Sequence, residues 1–208
     1  MSAEVTKFDH NGERYARDAE VMAIVIEVMS ERGYAGTSMQ EIAARLGILK
    51  GSLYHYFSSK EELLMRILNE SHEQVLAIDQ RISEQGLSPL EELLEYLRES
   101  SVWYLANVER ANIFFTDRRH LTGERLERAN QLGRAFEIHI QNLIQKGQEQ
   151  GQIRGDQDVR LISRFVMGTV NNVRFWPNRS SPGPDAVQMS ETLVALTRSA
   201  ISASPSTP

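Results

Sequence analysis

Gly47 stands between two short helical patterns, and its position constrains this chain more than any other feature. The stretch before it, SMQEIAARL, opens with Ser38 and has Glu41 three residues on, the spacing of a capping box. The stretch after it, ILKGSLYHYF, carries Leu53 and Phe57 four residues apart. With Met39 as the first residue of a two-helix unit, Ile42, Ala43, Leu46, Ile48, Leu53 and Phe57 fall on the inward side. Ala43 is small where the helices must cross. Gly47 falls at the sharp turn, where a left-handed backbone is cheap only for glycine. The pattern is that of a helix-turn-helix.

Anchored by Leu53 and Phe57, the second helix leaves Lys50, Gly51, Ser52, Tyr54, His55 and Tyr56 on or beside its free face. These are hydrogen-bond donors and planar rings. Gly51 costs a helix about 1 kcal/mol relative to alanine, so something must require it. One reading is that the bare backbone approaches a groove floor or a phosphate; the other is that Gly51 avoids a clash with the first helix. For Tyr54 and Tyr56 the alternative is ordinary packing with hydroxyls in water. The net charge of −5 argues at first against a nucleic-acid partner. Its distribution argues the reverse, because no acidic residue lies between Glu41 and Glu61, whereas Arg45, Lys50, His55 and Lys60 do.

A chain of 208 residues suits a small module fused to a larger one. It contains no cysteine, which excludes disulfides, thiolate zinc sites and a cysteine nucleophile and fits a reducing cytosol. The longest apolar run near the start, Val21 to Ile26, is far short of the roughly 20 residues that span a bilayer, so neither a signal peptide nor a membrane span is expected. Residues 1–15 lack periodicity and read as a flexible arm. From Ala16 to Arg32, Ala19, Met22, Ala23, Ile26, Val28 and Met29 recur at helical spacing until Gly33. Ser58 or Ser59 starts a fourth helix that runs to Ser83 without Pro or Gly, and Pro89 opens a fifth. Further helical segments are expected over 109–120, 124–150, 156–175 and 184–202. No stretch shows the alternation of strands. The expectation is an all-α protein with a disordered tail at 204–208.

The segment ERGYAGTSMQEIAARLGILKGSLYHYFSSKEELL strongly resembles the DNA-binding segment of the TetR family of bacterial repressors. The resemblance implies a three-helix DNA-binding head over 16–62 and a helical body for ligand binding and dimerisation over 63–203, linked by the fourth helix. It implies that Lys50, Gly51, Ser52 and Tyr54 approach base edges, while Thr37, Ser38, His55, Tyr56 and Lys60 hold phosphates. Leu49 departs from the polar residue common at its position. By the same resemblance the protein is a cytoplasmic repressor, nucleoid-associated when bound to DNA. It would bind a palindromic double-stranded operator as a homodimer and release it on binding a small effector. No catalytic residue, metal, cofactor or membrane contact is implied.

Such a body needs an apolar cavity with a few directed polar groups. Its expected lining is Trp103 and Tyr104; Phe114, Phe115, Arg118 and Arg119; and Met167, Asn171, Arg174 and Trp176. Two segments, FFTDRRHLTGERLERANQL and GQIRGDQDVRLISRFVMGTVNNVRFW, resemble more loosely the branch of the family that senses acyl-coenzyme A thioesters. Arg118, Arg119, Arg125, Arg128 and Arg174 would then meet the phosphates. The alternative is a solvated charged face paired with Glu124 and Glu127. Dimerisation is expected through the last two long helices, which carry Val159, Ile162, Val166, Val170, Val187, Leu193, Leu196 and Ile201. Two rivals stand beside this reading. A di-iron bundle enzyme needs repeated Glu-x-x-His pairs, and the nearest motif is the single Asp117–His120. A ligand-independent architectural DNA-binding protein would have a solidly packed body.

Overall fold

The computed structural model describes residues 10–176 and 184–203, with side chains from 18 onward. Among the described residues there are nine α-helices and no strand beyond one isolated bridge between Ile153 and Ser202. The helices are α1 (His10–Gly36), α2 (Met39–Arg45), α3 (Lys50–Tyr56), α4 (Lys60–Ser83) and α5 (Pro89–Ala106). They continue as α6 (Val108–Thr116), α7 (Gly123–Glu149), α8 (Val159–Asn172) and α9 (Ala186–Ile201). Helix α1 begins at His10, so residues 10–15 are helical rather than part of an arm. The rest of that arm and the tail at 204–208 lie outside the described residues.

Local chemistry sets most boundaries. The Ser38 hydroxyl accepts from the Glu41 N–H at 3.2 Å, and the Ser59 hydroxyl from the Glu62 N–H at 3.1 Å, satisfying donors that a helix start leaves free. Only half of the expected capping box forms, since the Glu41 carboxylate pairs with Arg32 at 2.7 Å. Gly33 (φ 70°) kinks α1 instead of ending it, and Gly47 (φ 66°) takes the left-handed turn between α2 and α3. Two expected segments break early. The 109–120 segment splits at Asp117 into α6 and a 3₁₀ turn over Arg118–His120, and α8 gives way to a 3₁₀ turn over Val173–Phe175.

Two apolar cores result. The head core gathers Val25, Met29, Ile42, Leu53, Leu63 and Ile67 among others, and it draws in Ile113 from α6 and Leu121 beyond it. Ala19 and Ala23, expected inward, are exposed, and Val25 is buried instead. The body core is built on Leu93, Leu97, Ile144, Val166, Val170 and Leu193. Helix α4 belongs to both, giving Leu63 to Leu68 to the head and Val75, Ile78 and Ile82 to the body. Among the described residues no helix is long and apolar enough to cross a membrane.

Candidate functional site

Helix α3 is held from beneath by Leu53 and Phe57, both buried. Its outer surface presents Lys50, Gly51, Tyr54, His55 and Tyr56, all exposed, with Ser52 half-buried. The Lys50 ammonium lies 5.7 Å from the Tyr54 ring centroid, a cation–π contact that keeps both on one face. A Cβ built on Gly51 meets nothing within 4 Å, so this glycine avoids no clash with α1. Its bare backbone opens toward solvent. Leu49 is 80% exposed at the start of α3, an apolar group on a surface otherwise made of donors. Arg45 is neutralised by Glu27 and Glu31, whereas Lys50 and His55 have no carboxylate partner among the described residues.

Two expected phosphate contacts are corrected. Thr37 is buried, and its hydroxyl donates to the carbonyl of Gly33, the kink residue of α1, at 2.9 Å; the side chain ties down the kink and is closed to a phosphate. Lys60 donates from Nζ to the carbonyls of Tyr34 at 2.6 Å and Thr37 at 2.8 Å and sits 4.2 Å from the Tyr34 ring centroid. Two of its three donors thus clamp the α1–α2 link onto the start of α4. Ser38 stays exposed, with its hydroxyl already accepting the Glu41 N–H.

The body holds a cavity of about 420 Å³ between α4, α5, α6, α7 and α8. Of the expected residues, Trp103, Tyr104, Phe114, Phe115, Arg118, Met167 and Asn171 line it. The aromatic wall is continuous, with ring centroids 5.2 Å apart for Trp103–Tyr104, 5.6 Å for Tyr104–Phe115 and 5.1 Å for Phe114–Phe115. The Trp103 indole N–H is oriented by Gln74 at 3.0 Å. Arg119 and Trp176 point to solvent instead. Arg174 is buried behind the wall: it donates to Asn112 at 2.9 Å, its guanidinium lies 4.4 Å from the Phe115 ring centroid, and burial pulls its pKa down. It braces Phe115 and does not line the cavity.

The structure adds lining residues that sequence reasoning missed: Asn69 and His72 from α4, Glu137 from α7, and Ser163 and Arg164 from α8. A signal existed for α4, whose apolar row Leu64, Leu68, Val75, Ile78 and Ile82 is interrupted at Ser71 and His72. Burial holds the His72 imidazole below its ordinary pKa, favouring the neutral ring. Arg118 and Arg164 have no ion-pair partner among the described residues. Arg125 is paired with Glu61 at 2.9 Å, and Glu127 takes Arg134, so the alternative reading, in which Arg118, Arg119, Arg125, Arg128 and Arg174 pair with Glu124 and Glu127, finds no such pair among the described residues.

Cavity and head share more than α4. Arg118 lines the cavity, and two residues along the same turn His120 stacks on Tyr34 at 5.0 Å. The Glu61 carboxylate at the start of α4 accepts the Thr122 N–H at 2.9 Å. On the outer side of the body, most apolar residues expected at a dimer interface are buried in the chain's own core: Ile162, Val166, Val170, Leu193 and Ile201. Exposed apolar surface is left by Val187 and Leu196, as expected, and by Leu161 and Phe165, which were not.

The profile of bacterial regulatory proteins, tetR family, matches residues 26–67, and that of the tetracyclin repressor-like C-terminal domain matches residues 86–196. The HTH-type transcriptional repressor KstR2 of Rhodococcus jostii (strain RHA1) is 29% identical over 162 residues, covering 77% of this chain and 79% of its own. The structure of ketosteroid transcriptional regulator KstR2 of Mycobacterium tuberculosis superposes with a TM-score of 0.83 at 26% identity, covering 90% of this chain and 96% of that one. AibR, solved in complex with isovaleryl coenzyme A and operator DNA, shares the fold with a TM-score of 0.78 at 23% identity, covering 86% and 96%. The C-terminal match spans more than half of the chain, and the helix-turn-helix stands where the N-terminal match falls: the chain belongs to the TetR family of bacterial transcriptional regulators.

Proposed function

We propose that this regulator is a cytoplasmic repressor that binds a palindromic operator as a homodimer and releases it when an acyl-coenzyme A thioester enters the body cavity. The observation that carries the ligand response is the double use of α4. Met65 and Leu68 belong to the head core and also line the cavity, so a guest that displaces them displaces the platform beneath α3. In this reading Lys50, Gly51, Ser52 and Tyr54 meet base edges, with Ser38, His55 and Tyr56 beside the backbone. Leu161 and Phe165 on α8 and Val187 and Leu196 on α9 supply the self-complementary face of a two-fold dimer. An apolar cavity with unpaired Arg118 and Arg164 suits an acyl chain attached to a phosphate-bearing carrier. AibR, of the same fold, was solved with such a thioester and with operator DNA. An architectural role would need a solid body, and the cavity argues against it.

Mobility shift on the promoter beside the gene, repeated with a panel of acyl-coenzyme A esters and the matching free acids, tests the reading. Release by a thioester at concentrations where its acid is inert is expected. In Arg118→Ala the response shifts to higher ester concentration by about tenfold, the loss of one charge-assisted contact. Release by the acids alone, or by none of the esters, contradicts the thioester.

A further inference from the structure

Ser163, Met167 and Asn171 follow one another at four-residue spacing on α8, and all three line the cavity. Ser163 is 1% exposed, and neither its Oγ nor the Oδ1 of Asn171, both buried atoms, has a hydrogen-bond partner among the described residues. The other flank of the same helix behaves differently. Thr169 donates to the Phe165 carbonyl at 2.7 Å and Asn172 to the Gly168 carbonyl at 2.7 Å, the usual outlet for a short polar side chain on a helix. Ser71, across the cavity on α4, does likewise with Ile67 at 2.6 Å. Ser163 does not take that outlet. Two buried polar atoms, roughly 12 Å apart along the helix axis, are therefore left without partners in residues that line the cavity, with His72 lining it from α4.

Resting on the reading of this cavity as the effector site, we propose that the part of the effector lying against α8 carries a hydroxyl or keto oxygen, and that an unsubstituted alkyl chain is a poor ligand. A saturated chain would leave both buried atoms without a partner, which is unfavourable. An oxygen on the guest removes that penalty. A hydroxyl donates to Asn171 Oδ1. A ketone accepts from the Ser163 hydroxyl, or from the Asn171 amide turned end for end. The neutral His72 ring can serve either as donor or as acceptor. The discrimination expected follows from the asymmetry of polar recognition, in which a site built to bond an oxygen rejects the analogue that lacks it.

The test is calorimetry on the full chain with decanoyl-coenzyme A, its 3-hydroxy, 3-oxo and 10-hydroxy derivatives, and the four matching free acids. At least one oxygenated member is expected to bind about tenfold or more tightly than its saturated parent, a difference of 1.4 kcal/mol. In the double variant Ser163→Ala, Asn171→Leu that ratio falls to about one. A saturated parent that binds as well as every oxygenated derivative overturns the proposal, as does a ratio unchanged in the double variant. The acids separate the two readings: an oxygen preference shown only by the acids sinks the thioester and leaves this inference standing, whereas tight thioesters without the preference do the reverse. Failure of every member to bind overturns both. Thermal unfolding of each single variant gives a ligand-free check. Groups without partners can be removed with the melting temperature unchanged or raised, and a drop of several degrees would show that they are structural bonds.

Discussion

Head and body treat buried polar groups in opposite ways. In the head the one buried hydroxyl among the described residues, Thr37, is bonded to Gly33, and of the polar side chains of α3 Lys50, Tyr54, His55 and Tyr56 are exposed and Ser52 half-buried. In the body Ser101, Ser163, Asn171 and Thr197 each keep a buried oxygen with no partner, and no head residue does so among the described residues. The head is finished inside and chemically open outside, which suits a rigid element whose partner is a surface. The body keeps unpaired polar groups inside, and two of their residues, Ser163 and Asn171, line the cavity, which suits a guest that must be swallowed. One helix, α4, runs through both.

The largest expected effect tests whether the two regions are separable. Leu53→Ala removes a fully buried anchor of α3 and should cost the head about 2–5 kcal/mol. DNA binding is then lost. Trp103 lies in the body and Trp176 beside it, so tryptophan fluorescence should still report a folded body. Simultaneous loss of both signals at one temperature would merge the two regions into a single cooperative unit.

Next comes the division of labour between two lysines. Lys60→Met should lower stability by about 1–2 kcal/mol, the worth of bonds to a charged donor discounted for partial exposure, with the salt dependence of DNA binding unchanged. Lys50→Ala should leave stability alone and reduce the salt slope by about one. Stability loss together with a reduced slope in Lys60→Met would return that lysine to the DNA backbone.

Gly51→Ala sharpens the contrast in a smaller way. The new methyl meets nothing in the free protein, so the helix should gain up to about 1 kcal/mol while operator affinity falls. Unchanged affinity would mean that nothing approaches the start of α3 closely.

The smallest effect belongs to the body. The Asp79 carboxylate, 3.2 Å from Nε2, raises the pKa of His139 above its ordinary value against the pull of burial. A raised folded pKa gives stability that is fully present below the unfolded value and lost as pH rises through the folded one. Wild type should therefore lose stability across that window, starting near pH 6.5, and His139→Gln should lose less. His72 is shifted down, so its contribution has the opposite sign and fades on acidification. Parallel pH profiles for the two proteins would remove the Asp79 contact from the account.

The same contrast explains what could be read in the sequence. The head is local: Ser38, Gly47, Leu53, Phe57 and Ser59 lie within 22 consecutive positions, and caps, turn and anchors follow from spacing alone. The cavity is assembled from five helices spread over residues 65–171. Met167 and Asn171 are expected on the lining and lie there, but spacing along the chain cannot show which inward residues border a void. That depends on how α4 and α7 pack against α8, so His72 and Ser163 escaped notice and Arg174 was misplaced. Thr37 and Lys60 failed for another reason. Spacing marks their polar ends as surface groups, whereas the link between α1 and α2 offers carbonyls to both, that of Gly33 to Thr37 and those of Tyr34 and Thr37 to Lys60.

The central claim is that cavity and head are coupled through α4, and linkage tests it directly. Affinity for the promoter duplex is measured by fluorescence anisotropy with and without saturating 3-hydroxydecanoyl-coenzyme A, and affinity for the ester with and without saturating duplex. The account predicts that the ester weakens DNA binding by about a hundredfold, or 2.7 kcal/mol, and that the duplex weakens ester binding by the same factor. An ester that binds the protein while leaving its affinity for the duplex unchanged would contradict it.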